Sequence, residues 1–355
     1  MTTTDTPLHL VVAGSLDQRT GGYLYDARIV RELREAGRNV VVHALDGRFP
    51  DPDVRARTSL DETLAAIDGQ ARVVIDGLAM GGLPEVIERH TDRLSLVALV
   101  HHPLADETGL SLADRGRFEA SERRALAAVA GVVVTSPFTA ARLEDFGVDR
   151  ERVRVVRPGT EPARMSSGPP DGEPLRLVCV GTLTPRKGQD LLIEALAGLA
   201  DLSWRCVLAG SPDRDRDFAA AVHDAVRRFG LHERIVFLGE LDHEALDAVY
   251  HEGSVFVLPS HYEGYGMALT EALARGLPIV STTGGAIPDT VPGDAGILVP
   301  PGDVPALRAA LRRVLRHPEV RGEMTRAARR HAQTLPRWSH QAERFAWMLE
   351  GLTSP

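Results

Sequence analysis

The chain has 355 residues, 43% apolar and 25% charged, with 41 basic against 49 acidic side chains and a net charge of −8; it is long enough to bury two cores of ordinary domain size, and its intermixed charges argue against a nucleic-acid surface. It lacks any uninterrupted apolar run of about eighteen residues, the length of a membrane span, and Met1 to Pro7 carries neither the basic nor the hydrophobic region of a signal peptide, so a cytoplasmic protein is expected. The two cysteines, Cys179 and Cys206, lie in apolar strand-like runs and read as buried reduced thiols rather than a disulfide or a metal site.

In the first half, apolar runs of strand length fall at Leu8–Ala13, 39–44, Arg72–Asp76, Ser95–Val100, 132–135 and 153–156, separated by helical periodicity. Residues 14–22 join the first strand to a helical pattern beginning near Tyr23. Their Gly21 and Gly22 let main-chain amides approach an anion, although no G-x-G-x-x-G occurs there. Ser59 to Glu62 spells a capping box and predicts a helix start, as does Ser136 followed by Pro137. The loop 77–84, with Leu78, Met80 and Leu83 among glycines, reads either as packed chain or as an apolar lip. His101 and His102 close the fourth strand directly before Pro103. A histidine at the carboxyl end of a parallel strand faces the ligand side and exchanges hydrogen bonds with a ligand hydroxyl. Adjacent side chains diverge, so one of the two serves. No His, Cys or carboxylate nearby completes a metal-ligand spacing. In the helix predicted over 114–130, Arg115, Arg117, Arg123 and Arg124 are offset by Asp114, Glu119 and Glu122, which disfavours membrane docking.

Residues 158–174, rich in Pro, Gly and Ser, break the rhythm. It resumes with strands at Leu175–Val180, Trp204–Ala209, 235–238, Val255–Leu258 and 279–281, then helices at Val304–Arg316, 318–334 and, after Pro336, 338–349. Alternation of this kind predicts an α/β protein with parallel sheets covered by helices on both faces. The division expected is a domain over 1–160, a linker over 161–174, a second domain over 175–335 and a final helix within 336–355.

Among the basic residues the one lysine is Lys187. A chain that writes Arg elsewhere and keeps a compact ammonium here points to a site too tight for a guanidinium fork. Arg186 adds a second cation at the same strand-to-helix turn, between Leu175–Val180 and the helical pattern 189–200. Further on, Val255–Leu258 is followed by a turn marked by Pro259, Gly264 and Gly266, then by a helix over 267–275 that Gly276 closes. The first amides of a helix lack internal partners and carry its positive dipole end, so Gly264, Tyr265, Gly266 and Met267 offer donors to an anion. Glu263 and Glu271 bracket that turn, about 10 Å apart at helical rise. That is too far for one acid/base pair and suits an extended ligand with hydroxyls at both ends and a double negative charge in the middle.

The block Glu263-Gly-Tyr-Gly-(four residues)-Glu271, the Thr-Gly-Gly-Ala-Ile-Pro at 283–288 and Gly181-Thr-Leu-Thr-Pro-Arg-Lys-Gly188 resemble retaining glycosyltransferases of family 4, which have the GT-B fold. The likeness is dense over 175–305 and thinner before it. It implies two Rossmann-like parallel-sheet domains facing each other across a cleft, with the last helix crossing back to the first. It also implies metal-independent, retaining transfer of a hexosyl group from a nucleotide-diphosphate sugar to an acceptor hydroxyl, with no cofactor beyond that co-substrate. In the family the Lys of the Lys-Gly turn contacts the donor diphosphate, together with an Arg directly after the Gly that opens the motif. Here that position is Thr182, which leaves open whether Arg186 supplies the charge. By the same resemblance His101, Lys187 and Glu263 act at the reacting end. Gly21, Gly22, Thr182, Arg186, Gly264, Tyr265, Gly266, Met267 and Glu271 hold the donor, and Asp17 and His102 lie on the acceptor side. The family reacts on one face, the leaving diphosphate helping to deprotonate the acceptor, and neither Asp106 nor Glu107 stands out as a nucleophile. The acceptor is a small molecule, glycan or lipid, with a lean to a soluble one. Three alternatives are a nucleotide-sugar epimerase of the same fold, a catalytically silent nucleotide-sugar binder, and a phosphorylase, whose pyridoxal phosphate would need the lysine already placed on the diphosphate.

Overall fold

The computed structural model describes residues 7–352; Met1–Thr6, which carry most of the signal-peptide reading, lie outside them. The chain divides into two compact units, one running to Gly159 and rejoined from Pro336, the other spanning Thr160–Leu335.

The first unit alternates β1 (Leu8–Ala13), α1 (Gly21–Glu35), β2 (Val40–Leu45), α2 (Val54–Ala66), β3 (Arg72–Asp76), α3 (Gly77–Met80), α4 (Pro84–His90), β4 (Ser95–Val100), α5 (Leu112–Ala128), β5 (Gly131–Val134), α6 (Pro137–Arg142) and β6 (Val153–Val155). The six strands pair in parallel in the order β2-β1-β3-β4-β5-β6. Val73, Val74 and Ile75 are buried in sequence, as are Leu96 to Val100, because helices cover both faces of a parallel sheet and leave no position for a polar residue. The strand order reverses between β1 and β3. Loops at the carboxyl ends of those strands therefore diverge to opposite faces and leave a crevice there.

Three local expectations are corrected. Helix α2 opens at Val54, where the Asp53 carboxylate accepts the Ala56 amide at 2.8 Å. Ser59 lies inside that helix and its hydroxyl accepts from the Asp46 amide, so the Ser59 to Glu62 pattern caps nothing. The 77–84 segment is a short helix and turn with Met80 and Leu83 buried, which removes the apolar lip. Glu122 does not offset surface arginines: it is buried on α5 and accepts the Leu104 and Ala105 amides at 2.7 and 3.0 Å.

The second unit runs β7 (Leu175–Val180), α7 (Gln189–Ala197), β8 (Trp204–Ala209), α8 (Arg216–Arg228), β9 (Ile235–Gly239), α9 (His243–His251), β10 (Val255–Leu258), α10 (Met267–Ala274), β11 (Ile279–Thr282), α11 (Ile287–Thr290), β12 (Gly296–Val299), α12 (Val304–Arg316) and α13 (Pro318–Ala332). Its parallel order is β12-β11-β10-β7-β8-β9, with the switch between β7 and β10. Phe256, Val257, Leu192 and Leu269 are fully buried around that switch. Cys179 and Cys206 are buried free thiols on the neighbouring strands β7 and β8. The last helix, α14 (Trp338–Glu350), belongs to the first unit and buries Trp338, Ala342, Phe345 and Leu349. No helix among the described residues is long and apolar enough to cross a membrane.

Candidate active site

At the switch point of the second sheet, two loops are held together by main chain. After β7, a 3-10 turn at Pro185–Lys187 ends in Gly188, whose φ of +67° starts α7. A side chain at Gly188 would fall 2.4 Å from the Pro259 carbonyl oxygen, so only glycine lets the loop after β7 close on the loop after β10. The contact is sealed by the His261 amide donating to the Arg186 carbonyl at 2.7 Å. A third loop follows β11. Gly284 and Gly285 would place a Cβ 2.3 Å from the His261 and Glu263 carbonyl oxygens respectively, and the Ala286 amide donates to the Glu263 carbonyl at 2.8 Å. The Thr-Gly-Gly of the sequence thus buttresses the Glu263 loop from behind.

These loops bring Lys187, Arg186 and Glu263 to one point. The Lys187 ammonium donates to Glu263 Oε1 at 2.6 Å, the Ser260 hydroxyl donates to the same oxygen at 2.6 Å, and the Arg186 guanidinium lies 3.5 Å from Oε2. Glu263 is 5% exposed. Burial works to raise its pKa, but Lys187 and Arg186 outweigh it and hold the carboxyl below its usual range. Burial, with Arg186 adding like charge, pulls Lys187 below the ordinary ammonium value against the opposing pull of Glu263. A direct Lys187 to Glu263 pair was not anticipated from the sequence, which assigned the two residues to different parts of a ligand. Arg186 also donates to the Tyr262 carbonyl at 3.0 Å.

Immediately after Glu263, Gly264, Tyr265 and Gly266 lead into α10, with Gly266 at φ +92° and no side-chain cap. The Met267 and Ala268 amides have no acceptor within the helix, whereas the Leu269 amide already donates to the Gly266 carbonyl at 2.9 Å. Glu271, one turn and more into α10, accepts the Tyr250 hydroxyl at 2.9 Å. Thr182 contributes its carbonyl, held at 3.0 Å by the Gln189 side-chain amide.

In the first unit, Gly21 and Gly22 are the first two residues of α1, which therefore begins earlier than Tyr23. A Cβ on Gly22 would lie 2.9 Å from Cδ2 of His101, whereas one on Gly21 would meet nothing within 4 Å. The two histidines diverge: His101 Nε2 pairs with Asp26 Oδ1 at 3.0 Å, and His102 Nε2 with Glu107 at 3.3 Å. Asp17 is exposed and accepts the Ser15 hydroxyl at 2.8 Å within its own turn. Asp76, at the end of β3, is the residue that sequence reasoning missed together with Asp26. One side-chain atom from each of Asp26, Asp76 and His101 lies within 4.8 Å of the others, a grouping that their spacing in the sequence does not announce. The sequence held one faint sign, that Asp26 interrupts the buried stripe Ile29, Val30 and Leu33 of α1 at helical spacing, which by itself assigns it no role.

Two doubly wound parallel units, one with glycine-closed loops presenting cations at its switch point, define a GT-B protein. Sucrose-phosphate synthase from Thermosynechococcus elongatus shares the fold at a TM-score of 0.82, with 21% identity over 98% of this chain and 99% of that one. The Anabaena protein HepE, solved with UDP and glucose, does so at 0.76, with 17% identity over 97% and 99%. Residues 161–331 match the family described as glycosyl transferases group 1, and 73–164 match glycosyltransferase family 4. The D-inositol 3-phosphate glycosyltransferase of Acidothermus cellulolyticus is 30% identical over 275 residues, 70% of this chain and 60% of that protein. Matches to the first curated relatives span 60%, 53% and 47% of their lengths. The chain belongs to the family 4 glycosyltransferases.

Proposed function

We propose that this protein transfers a hexosyl group from a nucleotide-diphosphate sugar to an acceptor hydroxyl, with retention of anomeric configuration and without a metal. The observation that carries the reading is the buried Lys187–Glu263 pair beside the amino end of α10. A diphosphate offers the ammonium a better counter-ion than one carboxylate. When it binds, it takes Lys187 and Arg186 and the first amides of α10, and it releases Glu263 to accept hydroxyls of the sugar. Arg186, 3.5 Å from Glu263, then carries the charge that relatives place where this chain has Thr182. Glu271 serves the ribose end, and His101 bonds a carbohydrate hydroxyl. Three of the four arginines of α5, Arg117, Arg123 and Arg124, are paired with Asp51, Glu119 and Glu88, which favours a soluble acceptor. Reduced Cys179 and Cys206 suit a cytoplasmic setting.

The test is release of nucleoside diphosphate on mixing donor and acceptor. In a folded Lys187→Ala variant it should fall about 100- to 1000-fold, the loss typical of removing a preorganised charge from a transition state; near-normal turnover would sink the reading. Glu263→Ala should weaken intact donor far more than free nucleoside diphosphate, and Glu271→Ala should weaken both. Retention is read from the anomeric proton coupling of the product, and metal independence from unchanged rates in chelator. Inversion of the donor sugar with no acceptor present would point to an epimerase, and binding with no release to a silent binder.

A further inference from the structure

The proposed function uses only His101 of a cluster at the switch point of the first sheet and gives no role to its two aspartates, Asp26 and Asp76. Asp26 is 1% exposed, and its Oδ2 is buried with no hydrogen-bond partner among the described residues. Its Oδ1 takes Nε2 of His101 at 3.0 Å. Gly22 closes on the same Cδ2–Nε2 edge of the ring, and Tyr25 meets the ring edge-on at 5.3 Å between centroids. The His101 side chain is nevertheless 18% exposed, and with one edge enclosed that exposure falls to the side carrying Nδ1. No protein group among the described residues bonds Nδ1.

We infer that Asp26 is a positioning residue for His101, fixing Nε2 so that Nδ1–H is presented as a hydrogen-bond donor to an oxygen of the carbohydrate substrate. The inference rests on the transferase reading for the identity of that oxygen, but not for the geometry of the pair. The charged and titratable groups that face the ring are Asp26 and Tyr25 from α1 and Asp76 from the end of β3. Burial alone would lower the pKa of His101, yet the contact with Asp26 and the proximity of Asp76 reverse the sign and raise it. Tyr25 is pushed well above its ordinary value by burial and stays a neutral phenol. With Nε2–H held by the Asp26 carboxylate, Nδ1 carries a proton to donate when the ring is the imidazolium, the state that the two carboxylates favour, and the ring is oriented as a buried aspartate orients a catalytic imidazole elsewhere.

The experiment follows the C2 proton of His101 by NMR across pH in the full chain, with His101→Gln identifying the resonance. In the wild type it should titrate above about 6.5, the value of an unperturbed histidine. In Asp26→Asn the midpoint should fall by about one unit or more, turnover by about 100-fold, and the alkaline limb of the kcat profile, where the ring loses its Nδ1 proton, should move down with it. KM for donor should change little. Asp26→Glu, which keeps the charge, should recover part of both. A wild-type midpoint below 6, or an Asp26→Asn midpoint within about 0.3 unit of wild type, overturns the inference. Where Asp26→Asn fails to fold, the wild-type midpoint and a smaller fall in Asp76→Asn decide. A shifted midpoint in a protein that releases no nucleoside diphosphate overturns the transferase reading and leaves the positioning role standing; release with an unmoved midpoint does the reverse.

Discussion

Lys187 and Glu263 are both enclosed by protein, so the value of their pairing shows when one of them is taken away. Removing the ammonium leaves a buried carboxylate facing only Arg186 at 3.5 Å and the Ser260 hydroxyl, and stranding a buried charge costs about 3–5 kcal/mol before any relief by protonation. That relief sets a pH dependence. In the wild type the Glu263 pKa is held low, so its contribution is present above the unfolded carboxyl value and lost only as pH falls through the folded one. In Lys187→Ala burial dominates, the folded pKa rises, and stability is lost as pH climbs through it. The difference in melting midpoint between the two proteins should therefore widen from pH 5 to pH 8. A constant difference would show that Arg186 alone neutralises Glu263. Gly21 and Gly22 provide a second contrast of single residues. Gly22→Ala should displace His101, because its Cβ would fall 2.9 Å from the ring, whereas Gly21→Ala adds a methyl to open space. The His101 resonance in the ligand-free protein should move in the first and not in the second. Lys187 was legible because it is the one lysine of the chain. Asp26 was not, because a carboxylate in an apolar stripe acquires meaning only when the strand ends bearing Asp76 and His101 are folded against it.

Elements were legible in proportion to how completely they are buried. β3, β4, β7, β8 and β10 appear where their apolar runs predicted, most plainly β10, whose four residues are all apolar and buried. β12 escaped notice as a four-residue strand at the sheet edge with three half-buried positions. Helices α8 and α9 were equally faint, the first burying Ala219, Val222 and Val226 and the second Tyr250 alone. Ser59 misled because a capping box is a local pattern, and Asp53 starts the same helix one and a half turns earlier. Helix α14 is docked by a glycine outside it: a Cβ on Gly159 would fall 2.4 Å from the backbone of Trp338. Trp338 in turn meets Tyr25 of α1 edge-on at 5.8 Å. Gly159→Ala should push the start of α14 away from α1 and lower stability by about 1–3 kcal/mol, the usual cost of overpacking. Gly116→Ala, within α5 and facing open space, should raise it by about 0.5–1 kcal/mol by removing backbone freedom from the unfolded chain. Equal and small effects from both would mean that the junction at Gly159 yields.

Across the whole molecule, the division into two α/β halves was readable from rhythm alone, while the ionisation of the first unit was not, because it depends on groups 50 and 25 positions apart in the chain converging on Asp26, Asp76 and His101. Asp76 and Glu122 are both pushed up to about 7, chiefly by burial, and His101 is raised. In all three the folded state holds a proton that the unfolded chain has begun to release, so the stability they contribute is complete below the unfolded pKa and is lost as pH rises through the folded one. His9 and His43 oppose this in the same window: burial lowers both, so acid destabilises them. The net slope of the wild type is therefore a poor readout, and a neutral replacement at one site is a better one. Asn at position 76 carries no charge at any pH, like protonated Asp76, and the histidine pair cancels in the comparison. Asp76→Asn should match the wild type near pH 4 and become the more stable protein at pH 8, by on the order of a few kcal/mol, because only the wild type must then bury a second carboxylate beside Asp26. Denaturant unfolding of both proteins at those two pH values measures it. A variant less stable than the wild type at pH 8 would mean that ionised Asp76 is welcome in the fold, held by His101 and the amides of Gly77 and Leu78, and that the cluster is charged rather than proton-sharing when the protein works.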